Sequence, residues 1–169
     1  ITGSKIKVLG INQNSDQGDL GFSYVLEKMG CHLDFATDGI AVTGGPLKAL
    51  EIDMGDMPDL VPTLAVVAAF AEGTTLMTNV AHLRAKESDR LAAVANELEK
   101  MGIKAECGPD SIAVTGGQPK GARIKTYDDH RIAMSFALAG LRTPGVIIED
   151  EACVAKSFPN FWSVFNSLS

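Results

Sequence analysis

The sequence has no excess of positive charge, no long apolar run and no paired set of cysteines, and each absence removes a class of function. Its net charge is −6, so it lacks the basic surface that non-specific nucleic-acid binding requires. The longest apolar stretch, "LAVVAAFA" at 64–71, is too short to span a bilayer. The opening "ITGSKIKVLG" contains no apolar segment of the kind a secretory leader needs. Cys31, Cys107 and Cys153 are odd in number and widely spaced, unlike a disulfide framework or a zinc-ligand set. We read them as buried reduced thiols. With 46% hydrophobic and 21% charged residues, the expectation is a soluble, cytosolic globular protein. No nucleic-acid partner, membrane partner or metal is expected.

What the chain does have is repetition. "IAVTGG" occurs at 40–45 and 112–117, and "LEKMG" at 26–30 and 98–102, so both words recur at an offset of 72 (112 − 40 and 98 − 26). Two words at one spacing indicate duplicated architecture, and residues 26–76 match 98–148 in one register. Each copy then carries a helix with apolar residues at helical spacing, for example Leu91, Val94, Ala95, Leu98 and Met101. Gly30 and Gly102 follow as left-handed terminators. Strands at 31–35 and 103–106 lead by tight turns into "IAVTGG", whose glycines end a further strand. Strands near 50–53 and 122–125 precede the Ala-rich helices "DLVPTLAVVAAFAE" and "RIAMSFALAGLR". These are apolar on nearly every side and so belong inside the fold. Strands at 74–80 and 146–150 come next. Residues 50–115 form one complete β-α-β-α-β-β unit, flanked by one that lacks its opening strand and helix and one that lacks its closing two strands. Stacked units must share a core. The expectation is an α/β fold of repeated βαβαββ units, helices inside and sheets outside, forming a single incomplete domain over 1–169.

Duplication supplies its own control, because packing can keep a residue in both copies but does not explain opposite charges. Asp59 falls on Arg131, His130 on Pro58, Arg90 on Gly18, and "KESD" at 86–89 on "NSDQ" at 14–17. Asp56 and Asp128 agree, and both suit helix N-termini, where a carboxylate meets free N–H groups. We take that pair as structural. Asp59, Lys86, Glu87, Arg90, His130 and Arg131 become candidates for chemistry, together with Lys156 in "CVAKSFP". All lie in loops before helices or in first turns, positions that favour anionic ligands. Arginine offers bidentate contacts and lysine a mobile charge, and Asp59 and Glu87 among those cations suit proton transfer. Plain readings stand beside each one. "KESDR" also fits a solvated helix start with Ser88 as N-cap and Asp89 against the dipole. His130 also fits a surface histidine, and Asp59 beside Pro58 an ordinary first-turn pair.

"NSDQGD", "MPDLVPTLAVVAAFAEGTT", "LRAKESDRL", "YDDHRIAMSFALAG" and "AKSFPNF" together resemble the 5-enolpyruvylshikimate-3-phosphate synthases of the enolpyruvyl transferase family. The likeness runs from near residue 6 to the end. It fits the shikimate branch better than the UDP-N-acetylglucosamine branch. It implies three βαβαββ units per domain and two domains that close over the substrates, this chain being most of the C-terminal one. It also implies transfer of the enolpyruvyl group of phosphoenolpyruvate to the 5-hydroxyl of shikimate 3-phosphate, with release of phosphate and no metal or organic cofactor. By matching motif, Asp59 deprotonates the 5-hydroxyl and Glu87 protonates the methylene. Lys86 resembles a shikimate-phosphate ligand, and His82 occupies a substrate-binding position where some relatives have asparagine. Arg90, Arg131 and Lys156 clamp phosphoenolpyruvate, with His130 beside them. The implied partners are the two substrates and an N-terminal domain or fragment that completes the site. The chain alone is then expected to turn over negligibly. The rivals are a non-catalytic fragment that binds anions weakly and serves reassembly, and a UDP-sugar enolpyruvyl transferase.

Overall fold

Each unit combines a parallel strand pair with an antiparallel hairpin, and the chain contains these pieces in rotation. The computed structural model describes residues 1–11 and 18–168. The element order is β1 (Lys5–Leu9), α1 (Gly21–Lys28), β2 (His32–Ala36), β3 (Gly39–Thr43), β4 (Glu51–Asp53), α2 (Val61–Ala68), β5 (Thr74–Thr78), α3 (Arg90–Lys100), β6 (Lys104–Cys107), β7 (Ile112–Thr115), β8 (Arg123–Ile124), α4 (His130–Gly140), β9 (Ile147–Ile148) and α5 (Phe161–Asn166). In the complete unit β4 runs parallel to β5, and β5 pairs antiparallel with β7, which pairs with β6. The first sheet, β1-β3-β2, contains only the antiparallel part, and β8-β9 only the parallel pair. The fold is therefore the expected α/β series of βαβαββ units, with both ends incomplete.

The central helices are α2 and α4. Six residues of α2 are buried (Val61, Pro62, Leu64, Ala65, Val66 and Ala68), and α4 buries Ile132, Ala133, Phe136, Ala137 and Ala139 along with polar groups. Alanine at these contacts lets the two backbones come close, and the large side chains between them exclude water at roughly 1.5–3 kcal/mol each. At the crossing, the Thr63 and Ser135 hydroxyls share a hydrogen bond of 2.9 Å. α3 packs against both helices and presents Leu91, Val94 and Leu98 to the same core. No helix among the described residues is long and apolar enough to cross a membrane.

The repeat extends to individual backbone bonds. Lys48 N donates to Met29 O and Lys120 N to Met101 O, both at 2.8 Å. Gly30 and Gly102 close their helices with φ of 110° and 77°, the left-handed geometry expected of them. The doubled glycine of "IAVTGG" answers to close approach. A Cβ on Gly116 would meet the carbonyls of Ala71 and Ala68, and one on Gly45 the carbonyl of Gly30.

The spacing is not uniform, however. Thr43 pairs with Lys5 while Thr115 pairs with Thr74, so β1 and β5 stand 69 apart (74 − 5) rather than 72. Arg123 pairs with Ile147 as Glu51 does with Leu76, which puts β5 and β9 71 apart (147 − 76). These offsets align Gly10, Asn79 and Asp150, all left-handed, with φ of 80°, 60° and 49°. The uniform register of 72 therefore breaks at β1 and β9. "NSDQ" at 14–17 lies outside the described residues.

Three further expectations are corrected. The cysteines are free, but none is buried: Cys107 is exposed and Cys31 and Cys153 are half-buried. Asp128 caps nothing, being exposed with a φ of 55°; the N-cap of α4 is Asp129, which accepts from Arg131 N. Asp56 is exposed too, and no side chain caps the turn Pro58–Leu60 or α2. At α3 the cap is Asp89, accepting from Ala92 N at 3.0 Å, and Ser88 instead donates to Asp129.

Candidate functional site

The starts of α2, α3 and α4 converge, and a fourth loop reaches them from the end of the chain. Asp59 sits in the 3-10 turn Pro58–Leu60, which runs directly into α2. Lys86 and Glu87 lie between the 3-10 turn Ala81–Ala85 and α3, whose first residue is Arg90. His130 and Arg131 open α4, and Lys156 ends the 3-10 turn Glu151–Lys156.

Arg90 is the hub. Its side chain is only 2% exposed, and its planar fork meets three carboxylates at once. Nη1 donates to Asp59 at 2.8 Å, Nη2 to Glu87 at 2.7 Å and Nε to Asp129 at 2.8 Å. Around this centre Arg131 Nη2 lies 2.9 Å from Asp59, Lys86 Nζ 3.9 Å from the same carboxylate, and Lys156 Nζ 2.9 Å from Glu87. Six of the eight residues named from the sequence thus form one ion cluster. Its outer cations, Lys86, Arg131 and Lys156, remain partly open to solvent, whereas Arg90 is engaged within the protein.

Electrostatics fixes the charge states. The hydrogen bond from Lys156 holds the Glu87 carboxyl down at about 2, with Arg90 adding to the effect. Burial lowers His130 below the ordinary histidine value, outweighing the opposite pull of Asp129. The imidazole is 6% exposed, and its Nδ1 has no hydrogen-bond partner among the described residues. His130 is therefore a neutral, buried group at the edge of the cluster and not a surface residue. His82 lies exposed on the turn Ala81–Ala85 and makes no hydrogen bond or ion pair with the cluster.

Asp129 was not among the expected residues. It is fully buried, caps α4, takes Arg90 and accepts from Ser88 at 3.1 Å. The usable signal was its place immediately before the helix, where Asp is a preferred cap. Among the described residues, no group of three or more His, Cys, Asp or Glu could hold a metal.

The family model for EPSP synthase (3-phosphoshikimate 1-carboxyvinyltransferase) matches residues 1–165. The chain belongs to the EPSP synthase family. It is 48% identical to the 3-phosphoshikimate 1-carboxyvinyltransferase of Syntrophobacter fumaroxidans, covering 99% of this chain and 40% of that protein. It is 47% identical to the Cronobacter sakazakii enzyme of the same name, covering 100% and 40%. A solved structure of the Acinetobacter baumannii EPSP synthase superposes with a TM-score of 0.82 at 32% identity, over 98% of this chain and 42% of that one. The chain thus spans about two fifths of the length of the EPSP synthases it matches.

Proposed function

We propose that this chain supplies one half of an active site that transfers the enolpyruvyl group of phosphoenolpyruvate to the 5-hydroxyl of shikimate 3-phosphate and releases phosphate. One observation carries the reading: two carboxylates suited to proton transfer, Asp59 and Glu87, lie within one cluster with Lys86, Arg90, Arg131 and Lys156. Phosphoenolpyruvate bears a phosphate and a carboxylate, and such a cation set is their natural counterpart. Membership of the EPSP synthase family supports the reaction class.

In this reading Asp59 takes the proton of the 5-hydroxyl as its oxygen bonds to the central carbon of phosphoenolpyruvate. Glu87 delivers a proton to the methylene carbon, giving a tetrahedral intermediate. In the elimination Glu87 takes a proton back from the new methyl group, the bond to the phosphate oxygen breaks, and the departing phosphate receives the proton held by Asp59. Glu87 starts ionised because Lys156 and Arg90 bind it. An arriving dianion competes for those cations, and a carboxylate that loses its cationic partners rises in pKa. Ligand binding therefore lets Glu87 take up a proton from solvent, the one it then delivers to the methylene carbon. Lys86 and the exposed His82 are assigned to the phosphate of shikimate 3-phosphate, and His130, as a neutral donor, to the edge of the clamp. The remaining contacts and the exclusion of water fall to the part of the family's chain that lies outside these residues. Positioning of both substrates depends on that part.

Mixing this chain with an N-terminal piece of a related synthase and measuring phosphate release tests the proposal. Turnover should require both pieces and both substrates. If calorimetry with phosphoenolpyruvate and shikimate 3-phosphate finds no binding and mixing restores no turnover, the chain is only an anion-tolerant scaffold. Turnover with a UDP-sugar acceptor instead would move it to the other branch.

A further inference from the structure

α3 grips the loop between β8 and α4 at two points. Its first residue, Arg90, holds Asp129. Seven residues on, along the same helix face, Glu97 holds the beginning of that loop. One carboxylate oxygen accepts from Lys125 N at 3.0 Å and the other from the Tyr127 hydroxyl at 2.8 Å. Lys100 Nζ contacts both oxygens, at 2.8 and 2.7 Å. Between the two grips, Tyr127 and Asp128 are consecutive left-handed residues, with φ of 57° and 55°. Side chains with a Cβ resist that conformation, which persists only where the surroundings impose it.

The other copies show that packing alone does not ask for this arrangement. The position equivalent to Glu97 on α1 is Val25, 72 residues earlier (97 − 25), an ordinary core residue 2% exposed, whereas the Glu97 carboxylate is 0% exposed. Gly55 and Asp56, 72 before Tyr127 and Asp128, have no positive φ. The same scaffold therefore accepts an apolar side chain beneath the helix and a relaxed turn before the next one. A fully buried carboxylate is costly unless its partners satisfy it. Buried acid and left-handed pair occur together where the loop goes on to deliver Asp129, His130 and Arg131.

Building on the functional reading above, we infer that Glu97 is a positioning residue for this site. With Tyr127 it imposes the left-handed pair, which sets the reach of Asp129 to Arg90 and the direction in which Arg131 leaves the start of α4. Glu97 itself bonds none of the clustered side chains. It acts through the loop.

The test uses the chain as it stands, labelled with ¹⁵N. The Nε–H of Arg90, donated to Asp129, reports the second grip, and calorimetry with phosphoenolpyruvate reports the clamp. Glu97→Val supplies the residue that α1 uses, and Glu97→Gln keeps the shape without the charge. Both should displace or broaden the Arg90 Nε–H resonance and weaken phosphoenolpyruvate roughly tenfold, by analogy with the loss seen when the partner that orients a metal ligand is removed. Asp128→Gly adopts the left-handed form freely, and in the Glu97→Gln background it should restore part of both signals. Should Glu97→Val fail to fold, Tyr127→Phe removes one hydrogen bond without changing shape and carries the same comparison. A folded Glu97→Gln chain that loses thermal stability while the Arg90 resonance and the affinity stay unchanged overturns the inference. If the unaltered chain binds no phosphoenolpyruvate yet the resonance moves in the variants, the positioning role stands and the functional reading fails.

Discussion

Asp59 and Arg131 occupy one position in two copies of the repeat, 72 residues apart (131 − 59), and their side chains meet at 2.9 Å. Equivalent positions surround a local axis, so residues close to that axis meet their own counterparts, as Thr63 and Ser135 do one turn deeper. At such a place two like charges would repel. Opposite charges attract, and they set an acid beside a cation where helix starts converge. Opposite charges at this repeated position thus give a symmetric junction a direction.

Asp59 also takes Arg90 and lies near Lys86, so its carboxylate is held in place from several sides. Asp59→Asn preserves the shape and removes the base. In the complemented enzyme we expect phosphate release to fall by about 10²–10⁴, the range of a positioned acid or base, with a smaller change in the affinity for phosphoenolpyruvate. A loss confined to KM would make Asp59 a binding group and not a proton acceptor.

Arg90 and Asp129 form a pair closed to solvent, with side-chain exposures of 2% and 0%. Breaking such a pair from one side leaves a stranded charge, at about 3–5 kcal/mol. Arg90→Met should therefore lower the denaturation midpoint far more than an exposed substitution such as Lys104→Met. Adding Asp129→Leu to Arg90→Met should recover part of the loss, because no lone carboxylate then remains. Urea unfolding of the single and double variants decides this; equal stability of the two would show that Asp129 is not stranded.

Much of this was legible in the sequence because the repeat compares the molecule with itself. Gly30 and Gly102 end their helices for a local reason, the left-handed C′ position, and local rules survive in a sequence. The disagreement of Asp59 with Arg131 marked the candidate site because packing could not explain it. Asp129 escaped because "YDDH" offers two aspartates. Which one caps α4 depends on the left-handed backbone at Tyr127 and Asp128, itself imposed from α3. Glu97 escaped because a glutamate in an amphipathic helix ordinarily faces water, and only the tertiary fold places Lys125 N and Tyr127 against it. The shift to 69 at β1 was hidden because both repeated words lie beyond that strand.

Glu87 should leave a mark on stability as pH falls. Its carboxyl drops from 4.5 to about 2 in the folded protein, so the folded state binds that proton less readily than the unfolded chain does. The contribution is fully present above the unfolded value and is lost as pH falls from about 4.5 towards 2. Glu87→Gln removes the titration, and the difference in stability between the two proteins should shrink over that window and be constant above it. Lys156→Met should do the converse and return Glu87 towards the ordinary carboxylate range, seen by ¹³C NMR titration of its side-chain carboxyl. A titration of Glu87 unmoved by Lys156→Met would deny the pairing.

The doubled glycine gives a paired test of the scaffold. Gly116 and Gly117 are neighbours, and neither has a positive φ. A Cβ at Gly116 would run into the backbone carbonyls of Ala71 and Ala68, rigid atoms that can yield only by moving a strand and a helix end, whereas a Cβ at Gly117 would meet Ile103 Cδ1 at 3.4 Å, the tip of a flexible side chain. Both substitutions reduce the freedom of the unfolded chain alike, by about 0.4–1 kcal/mol in favour of the fold. The difference between them is therefore the clash alone. Gly116→Ala should destabilise by about 1–3 kcal/mol, the cost of overpacking, and Gly117→Ala should be neutral or slightly stabilising. Thermal unfolding of the two variants side by side reads this directly, and equal melting temperatures would mean that the repeated glycine pair answers to the chain's flexibility and not to the close approach of strand and helix.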